Sequence, residues 1–143
     1  MKKVVDLTFA KSKEYKNVLR MIKEKGKCPF CKENFKYHKN PIEKREKDWF
    51  ITKSSWPYRD TKYHFLIIPE RHKENFRELN QADFKAISKL VNWAIEKYKI
   101  KGGGLTMRFG ETSFSGSTVC HLHFHLISPQ KGRKNKIVYF PIG

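Results

Sequence analysis

The chain has 143 residues, of which 38% are hydrophobic, 14% aromatic and 31% charged, and its formal net charge is +17. This length suits one domain over residues 1–143, and the hydrophobic content excludes wholesale disorder. No apolar run approaches the roughly 18 residues of a membrane span, and the first residues lack the apolar stretch of a secretory signal, so we expect a cytoplasmic protein without a membrane partner.

The first part of the chain predicts one helix followed by an irregular segment. Apolar residues between Tyr15 and Ile22 fall three or four positions apart, which predicts an amphipathic helix over residues 11–25 that Gly26 ends. Residues 27–47 are polar and rich in turn formers, and they predict irregular structure.

The middle of the chain predicts two strands and the longest helix. A short strand is expected over residues 49–51, and a second over residues 63–69, where the continuous apolar run Phe65 to Ile68 indicates burial on both faces. Asn80 is a predicted N-cap, and the apolar spacing after it predicts a helix that ends before the glycines at 102–104.

The last third predicts further strands over residues 105–109, 121–128 and 136–140, with a polar loop over residues 110–116. Two helices combined with neighbouring antiparallel strands are typical of the α+β class. We therefore predict one α+β domain.

Three histidines near the end of the sequence alternate with apolar residues. On a strand, His121, His123 and His125 would share one face while Leu122 and Phe124 face the core. With histidine at 6 of 143 positions, such a triple arises by chance in about one chain in a hundred of this length. Neighbouring positions on that face lie about 6.5–7 Å apart, which suits the binding of one metal ion or one anion.

Two chemistries fit this spacing. A His-x-His pair with a third ligand would bind a catalytic metal and make the protein a metal-dependent hydrolase. Alternatively, a neutral imidazole would attack phosphorus and form a transient P–N bond. Two neighbouring features fit such a site. Gly116, Ser117 and Thr118 offer N–H groups and hydroxyls where an anion would sit, although a plain turn has the same sequence. His64 lies in a strand that could pair with the histidine strand and add a fourth imidazole, although it also fits a hydrogen-bonded histidine at a sheet edge.

Cysteine use points to metal or redox chemistry rather than to disulfides. The chain has three cysteines, an odd count, and no export signal. Cys28 and Cys31 form a Cys-x-x-Cys pair that fits half of a zinc site better than a redox pair, because a charged helix end precedes it. The two further zinc ligands would come from His38, His72 and His121, and the spacing alone leaves the choice open.

The stretch His121 to Ile127 has the pattern His-φ-His-φ-His-φ-φ and resembles the histidine-triad (HIT) superfamily of nucleotide hydrolases and transferases. The resemblance extends to the Cys-x-x-Cys pair, the strand with His64, the Pro-x-x-His unit ending in His72, the long helix and the Gly-x-Thr-Val loop. It implies a HIT-like fold, which is a five-stranded antiparallel sheet with two main helices, and a homodimer.

The resemblance also implies roles for single residues. His123 would be the nucleophile on the α-phosphate, with His125 and His64 in support. The phosphate-binding loop would comprise Gly116, Ser117 and Thr118. In zinc-bearing members of the superfamily the metal ligands correspond to Cys28, Cys31, His72 and His121. A closed four-ligand Zn²⁺ site is structural, which disfavours the metal-dependent hydrolase.

The implied substrate is an adenine dinucleoside polyphosphate or a related AMP conjugate. The sequence at residues 109–110 and 115–119 is most similar to that of bacterial and archaeal diadenosine-polyphosphate phosphorylases and hydrolases. Trp49, Phe50 and Trp56 are expected to help form the base pocket. Many members have Asn or Asp at the ribose-contacting position where this chain has Ser54, and many have Gln in place of Ser117.

Other functions remain open on the sequence alone. The basic composition fits a zinc-stabilised module that binds nucleic acid through lysines and aromatic residues, or a deadenylase of adenylated nucleic-acid ends. It also fits a surface that merely keeps the protein soluble, as in heat-adapted organisms.

Overall fold

The computed structural model describes residues 3–143, so the first two residues of the predicted domain lie outside the described residues. Five strands form one antiparallel sheet in the spatial order β1-β2-β3-β5-β4. The strands are β1 Ile42–Glu46, β2 Trp49–Lys53, β3 Thr61–Pro69, β4 Gly104–Met107 and β5 Phe124–Pro129, and the helices are α1 Lys13–Lys25, α2 Gln81–Tyr98 and α3 Thr112–Ser115. The predicted α+β class and five-stranded sheet are confirmed.

Helix α2 covers one face of the sheet and forms the main core with it. Its start is fixed by a capping box, in which the Asn80 side chain accepts from the backbone of Asp83 and the Asp83 side chain accepts in return. The core side chains of this face include Trp49, Phe65 and Phe124 of the strands. Burying them against α2 leaves the opposite sheet face, with His64 and His125, free to form a site.

Helix α1 lies over that opposite face. Ser12 caps it by accepting from the N–H of Tyr15, and Gly26 ends it in the left-handed conformation with φ 63°. Its buried residues Leu19 and Ile22 pack with Val5 and Val119. No helix among residues 3–143 is both long enough and apolar enough to cross a membrane.

Three regular elements lie where loops or irregular structure were predicted: a 3₁₀ helix at Lys32–Tyr37, strand β1 and helix α3. Strand β1 falls inside the segment predicted as irregular, because its charged sequence on a half-exposed edge of the sheet carries no apolar alternation. Helix α3 is a single turn inside the predicted polar loop.

Two predicted strands are wrong in extent or in kind. The histidine strand begins only at Phe124, because the backbone before it is diverted: the N–H of Leu122 donates to the carbonyl of Lys73 and that of Cys120 to Val4. Residues 136–140 form no strand, and their segment instead folds against the beginning of β5, where Phe140 packs on His125 at 5.0 Å between ring centroids.

Candidate functional site

Four side chains that lie far apart in the sequence meet beside the first histidine of the triad. One ligand atom from each of Cys28, Cys31, His72 and His121 lies within 4.8 Å of the others. Nδ1 of His121 is 3.3 Å from Sγ of Cys28, and Nδ1 of His72 is 3.4 Å from Sγ of Cys31. We refer to these four residues as the Cys₂His₂ cluster. His38, the other candidate, lies elsewhere and hydrogen-bonds Thr52.

The hydrogen bonds of the cluster prepare both imidazoles as metal ligands. Nε2–H of His121 donates to the carbonyl of Pro69 at 2.8 Å, and Nε2–H of His72 donates to Glu74 at 2.8 Å. Each Nδ1 therefore carries a lone pair that points at the sulfurs. Burial raises the pKa of the Cys28 thiol to about 12. A thiolate here needs a neighbouring cation, so the donor set fits a metal ion.

The middle histidine of the triad has one determined tautomer. Nδ1 of His123 is 2.7 Å from the carbonyl oxygen of His121, and a carbonyl only accepts, so the proton is on Nδ1. Burial lowers the pKa of His123 to about 4, with Arg108 contributing further to the lowering. At neutral pH Nε2 of His123 is thus an unprotonated nucleophile.

The other two imidazoles form a directed chain of hydrogen bonds. The N–H of Tyr58 donates to Nδ1 of His64 at 3.0 Å, which places the proton of His64 on Nε2. That Nε2–H donates to Nδ1 of His125 at 2.8 Å, so the remaining proton of His125 is on its Nε2. This buried Nε2–H has no acceptor within the described part of the chain. We call this arrangement the imidazole chain.

A cavity of 450 Å³ opens onto His123 and His125 between the sheet and α1. Tyr15 of α1 stacks on Trp56 with ring centroids 5.1 Å apart, and both line the cavity. The hydroxyl oxygen of Tyr15 is 2.7 Å from the hydroxyl oxygen of Thr118 in the loop before the triad. A cavity with an aromatic wall, a nucleophile and an unpartnered N–H is suited to a ligand that carries both a ring and an anion.

Comparisons with known proteins agree with this geometry. Residues 20–138 match the family described as "Scavenger mRNA decapping enzyme C-term binding". A 66-residue stretch, 45% of the chain, is 32% identical to an uncharacterized HIT-like protein of Mycoplasma genitalium and covers 47% of it. The chain belongs to this family and to the HIT superfamily.

Further relatives share the same affiliation. The adenosine 5′-monophosphoramidase HINT3 of Mus musculus is 29% identical over 83 residues, which are 54% of the chain and 49% of that protein. The chain thus spans about half the length of these two curated relatives.

Solved structures confirm the predicted HIT-like fold. A HIT family hydrolase from Clostridium thermocellum is 29% identical, with a TM-score of 0.55 over 77% of this chain and 96% of that chain. A histidine triad nucleotide-binding protein from Candida albicans is 21% identical, with a TM-score of 0.60 over 82% of this chain and 85% of that chain, and this likeness concerns the fold alone.

Several of the predicted site residues line the cavity between the sheet and α1. His64, His123, His125, Gly116, Thr118, Ser54 and Trp56 all line it. Ser117 belongs to the same loop, but its hydroxyl is buried and donates to the carbonyl of Val119 at 2.9 Å.

Two predicted base-pocket residues lie in the core instead. Trp49 is 1% exposed and its indole N–H donates to Asp83 of α2, on the sheet face opposite the cavity. Phe50 is 2% exposed and packs between Leu66 and Ile68 in a separate cluster. Trp49 and Phe50 point to opposite faces of β2, and both faces are apolar. Aromatic residues are favoured in such a buried strand, so their presence there requires no ligand.

The cavity also contains residues that the sequence did not point to. Tyr15 appeared only as an apolar position of α1, and Arg108 stood unremarked at the end of a predicted strand. Phe140 approaches His125 from a segment with no regular structure. The sheet brings Arg108 to the site, because it lies two residues beyond Thr106, which pairs with His125, and the sequence gives no signal for this pairing.

The burial of His64 predicts a pH-dependent stability. Burial, with a smaller contribution from the charges of His123, Lys11 and Arg108, lowers the pKa of His64 to about 4 from 6.5. Between pH 6.5 and 4 His64 is therefore protonated in the unfolded chain but neutral in the folded chain. The contribution of His64 to the unfolding free energy is complete above pH 6.5 and is lost as the pH falls towards 4. In urea titrations at pH 7.5 and 5, His64→Gln should show a pH-dependent loss of unfolding free energy smaller than the parent's by roughly 2 kcal/mol. An equal loss in both proteins would contradict this assignment.

Proposed function

We propose that this HIT protein is a nucleotidyl hydrolase or transferase that cleaves dinucleoside polyphosphates or related AMP conjugates at the α-phosphate. The observation that carries the proposal is the unprotonated Nε2 of His123 at the cavity, next to the unpartnered Nε2–H of His125. The names of the relatives support it, since HINT3 is an adenosine 5′-monophosphoramidase and the Clostridium thermocellum protein is a HIT family hydrolase.

In the first step Nε2 of His123 attacks the α-phosphorus, and the bond from phosphorus to the leaving group breaks. The electron pair of that bond goes to the leaving atom, and the product on the protein is a nucleotidyl-histidine. As His123 gains positive charge, its Nδ1–H bond to the carbonyl of His121 strengthens, which stabilises the charge where it develops.

The imidazole chain would bind the phosphate. Nε2–H of the neutral His125 ring would donate a hydrogen bond to a non-bridging oxygen or to the leaving atom, and a basic amine that leaves would take its proton from solvent. His64 fixes the tautomer of His125, because its own Nδ1 is occupied by the N–H of Tyr58. Water or phosphate then attacks the α-phosphorus from the vacated side and releases His123 together with AMP or ADP.

We also propose that the Cys₂His₂ cluster holds one structural Zn²⁺. Two thiolates and two imidazoles are the usual ligand set of such a site, and a closed tetrahedron leaves no position for a reacting water. The ligand His121 supplies the carbonyl that orients His123, so the metal would stabilise the nucleophile's position. A homodimer and a cytoplasmic location stay predictions.

The proposed function is tested by incubating the protein with diadenosine tetraphosphate and with an AMP-amidate, each with and without added phosphate. Release of AMP identifies hydrolysis, and release of ADP that requires phosphate identifies transfer. The proposal fails if neither substrate yields AMP or ADP with protein that contains its metal.

A variant of the imidazole chain separates the two histidine roles. His125→Asn should lower the steady-state rate about 100-fold, as loss of one positioned donor typically does, while nucleotidyl-histidine still forms on His123. Rapid-quench measurement of the adduct tests this expectation, and complete loss of the adduct in His125→Asn would contradict it.

A further inference from the structure

Two cations line the triad cavity without an anionic partner. Arg108 and Lys11 both face this space. Neither takes part in any ion pair formed within residues 3–143. Two like charges in one partly buried cavity repel each other, and a bound anion relieves that repulsion.

Arg108 follows directly on β4 and lies at the cavity with the nucleophile. Strands β4 and β5 pair Thr106 with His125 and Met107 with Phe124, and β4 ends at Met107. The side chains of Arg108 and His123 line the same cavity, and the charge of Arg108 contributes to the lowered pKa of His123.

The guanidinium of Arg108 is held rigidly by neutral groups. Its Nε–H and one Nη2–H donate to the carbonyl of Pro141 at 2.8 and 2.6 Å, and its Cζ lies 3.9 Å from the ring centroid of Phe140. A carbonyl and an aromatic face fix the orientation without neutralising the charge. Phe140 in turn contacts His125 at 5.0 Å, so the folded 136–143 segment holds this cation next to the triad.

Lys11 approaches from the other wall of the cavity. Its ammonium lies 3.8 Å from the ring centroid of Tyr58, and that ring stacks on His125 with centroids 5.7 Å apart. Partial burial, followed by the charge of Arg108, lowers the pKa of Lys11. The two cations thus influence each other across the space in front of His125.

We propose that Arg108 and Lys11 form the subsite for the phosphate that leaves, so that the protein selects AMP joined through a phosphoanhydride over AMP joined to an amine. The inference rests on the proposed function and narrows its substrate class. Dinucleoside polyphosphates and 5′-adenylated oligonucleotides are two sources of the same phosphoanhydride linkage.

The chemistry of the departing group explains the selection. When Nε2 of His123 bonds to the α-phosphorus, the P–O bond of the anhydride breaks and its electron pair stays on the bridging oxygen. The departing phosphate gains one negative charge and needs no proton, so a fixed guanidinium and an ammonium stabilise it directly. An amine leaves neutral after taking a proton, and gains nothing from two cations.

The kinetic test compares kcat/KM on three substrates: diadenosine tetraphosphate, a 5′-adenylated oligonucleotide and an AMP-amidate. Arg108→Gln and Lys11→Gln should lower the ratio of anhydride to amidate kcat/KM by about 10- to 100-fold. Lys11 is exposed, so its variant preserves the fold. Arg20→Gln, the same charge change on α1 outside the cavity, is the matched control. An unchanged ratio in both cavity variants would overturn the proposal. The kcat/KM values on the two anhydride substrates show whether the dinucleoside polyphosphate or the 5′-adenylated oligonucleotide is preferred.

A binding test does not depend on turnover. Isothermal titration with inorganic tripolyphosphate should show an affinity at least about tenfold weaker in Arg108→Gln and Lys11→Gln than in Arg20→Gln. Equal weakening in all three variants would overturn the subsite and indicate a general effect of surface charge. If the cavity variants bind tripolyphosphate more weakly while the parent turns over no substrate, the subsite is supported and the proposed function is wrong.

Discussion

His123→Asn is expected to lower kcat on AMP conjugates by at least about a thousandfold, the largest effect of any single substitution in this protein. Asparagine keeps a hydrogen-bond donor near the carbonyl of His121 but offers no nucleophilic lone pair to the α-phosphorus. The reaction would then proceed only through direct attack by water, assisted by the remaining donors of the cavity.

The variant should fold normally, which makes the activity loss interpretable. His123 contacts Phe30 edge-on at 5.1 Å between ring centroids, and a smaller polar side chain there removes limited apolar contact. The melting temperature is measured beside the kinetics of the parent and of Arg20→Gln, which should retain its rate. Turnover of His123→Asn at the parent rate would exclude His123 as the nucleophile.

The second large effect is expected at the Cys₂His₂ cluster. Cys28→Ser should remove the metal, which metal analysis of the parent should find at one Zn²⁺ per chain, and should lower the unfolding free energy by about 3 kcal/mol or more. The cluster joins the Cys-x-x-Cys turn, the segment after β3 and the triad backbone, so its loss removes a direct link among three segments.

The third cysteine supplies the matched control for this experiment. Cys120 lies next to His121 in sequence but outside the cluster, so Cys120→Ser should keep one Zn²⁺ per chain and a melting temperature near the parent's. If metal analysis of the parent finds no zinc, or if Cys28→Ser retains it, the proposed metal site is wrong. Activity should fall in Cys28→Ser as well, because the carbonyl of His121 would no longer hold the Nδ1–H of His123.

The elements that the sequence predicted well are those whose signals are local. Helix α2 follows directly from the Asn80 cap and the helical spacing of its apolar side, and the structure begins it at Gln81. Strand β3 follows from its continuous apolar run, since a strand covered on both faces needs no alternation.

The elements that escaped prediction depend on tertiary contacts. Strand β1 carries charged residues on a half-exposed edge and is specified by pairing with β2. The segment with Phe140 and Pro141 has strand-like composition, yet it is held by the side chain of Arg108 and by the ring of His125. Neither partner is visible in the local sequence, so propensity predicted the wrong structure there.

The residues of the candidate site also divide into those with a local sequence signal and those that depend on tertiary contacts. The spacing of the triad and the Cys-x-x-Cys pair identified residues whose chemistry depends on residue type and local order. The bulky residues of β2 were misassigned, because Trp49 and Phe50 are as suited to a core as to a base pocket. Tautomers, the imidazole chain and the setting of Arg108 depend on atoms from distant segments, and only the fold determines them.

The central claim, a transient bond between Nε2 of His123 and the α-phosphorus, is tested most directly by trapping and locating the adduct. The protein is mixed with diadenosine tetraphosphate, quenched within the first turnover at alkaline pH, digested, and analysed by mass spectrometry. The account predicts one AMP moiety per chain, attached to the peptide that contains His123, absent in His123→Asn and labile to acid. An AMP moiety on another residue, or steady turnover with no adduct at any time, would contradict it.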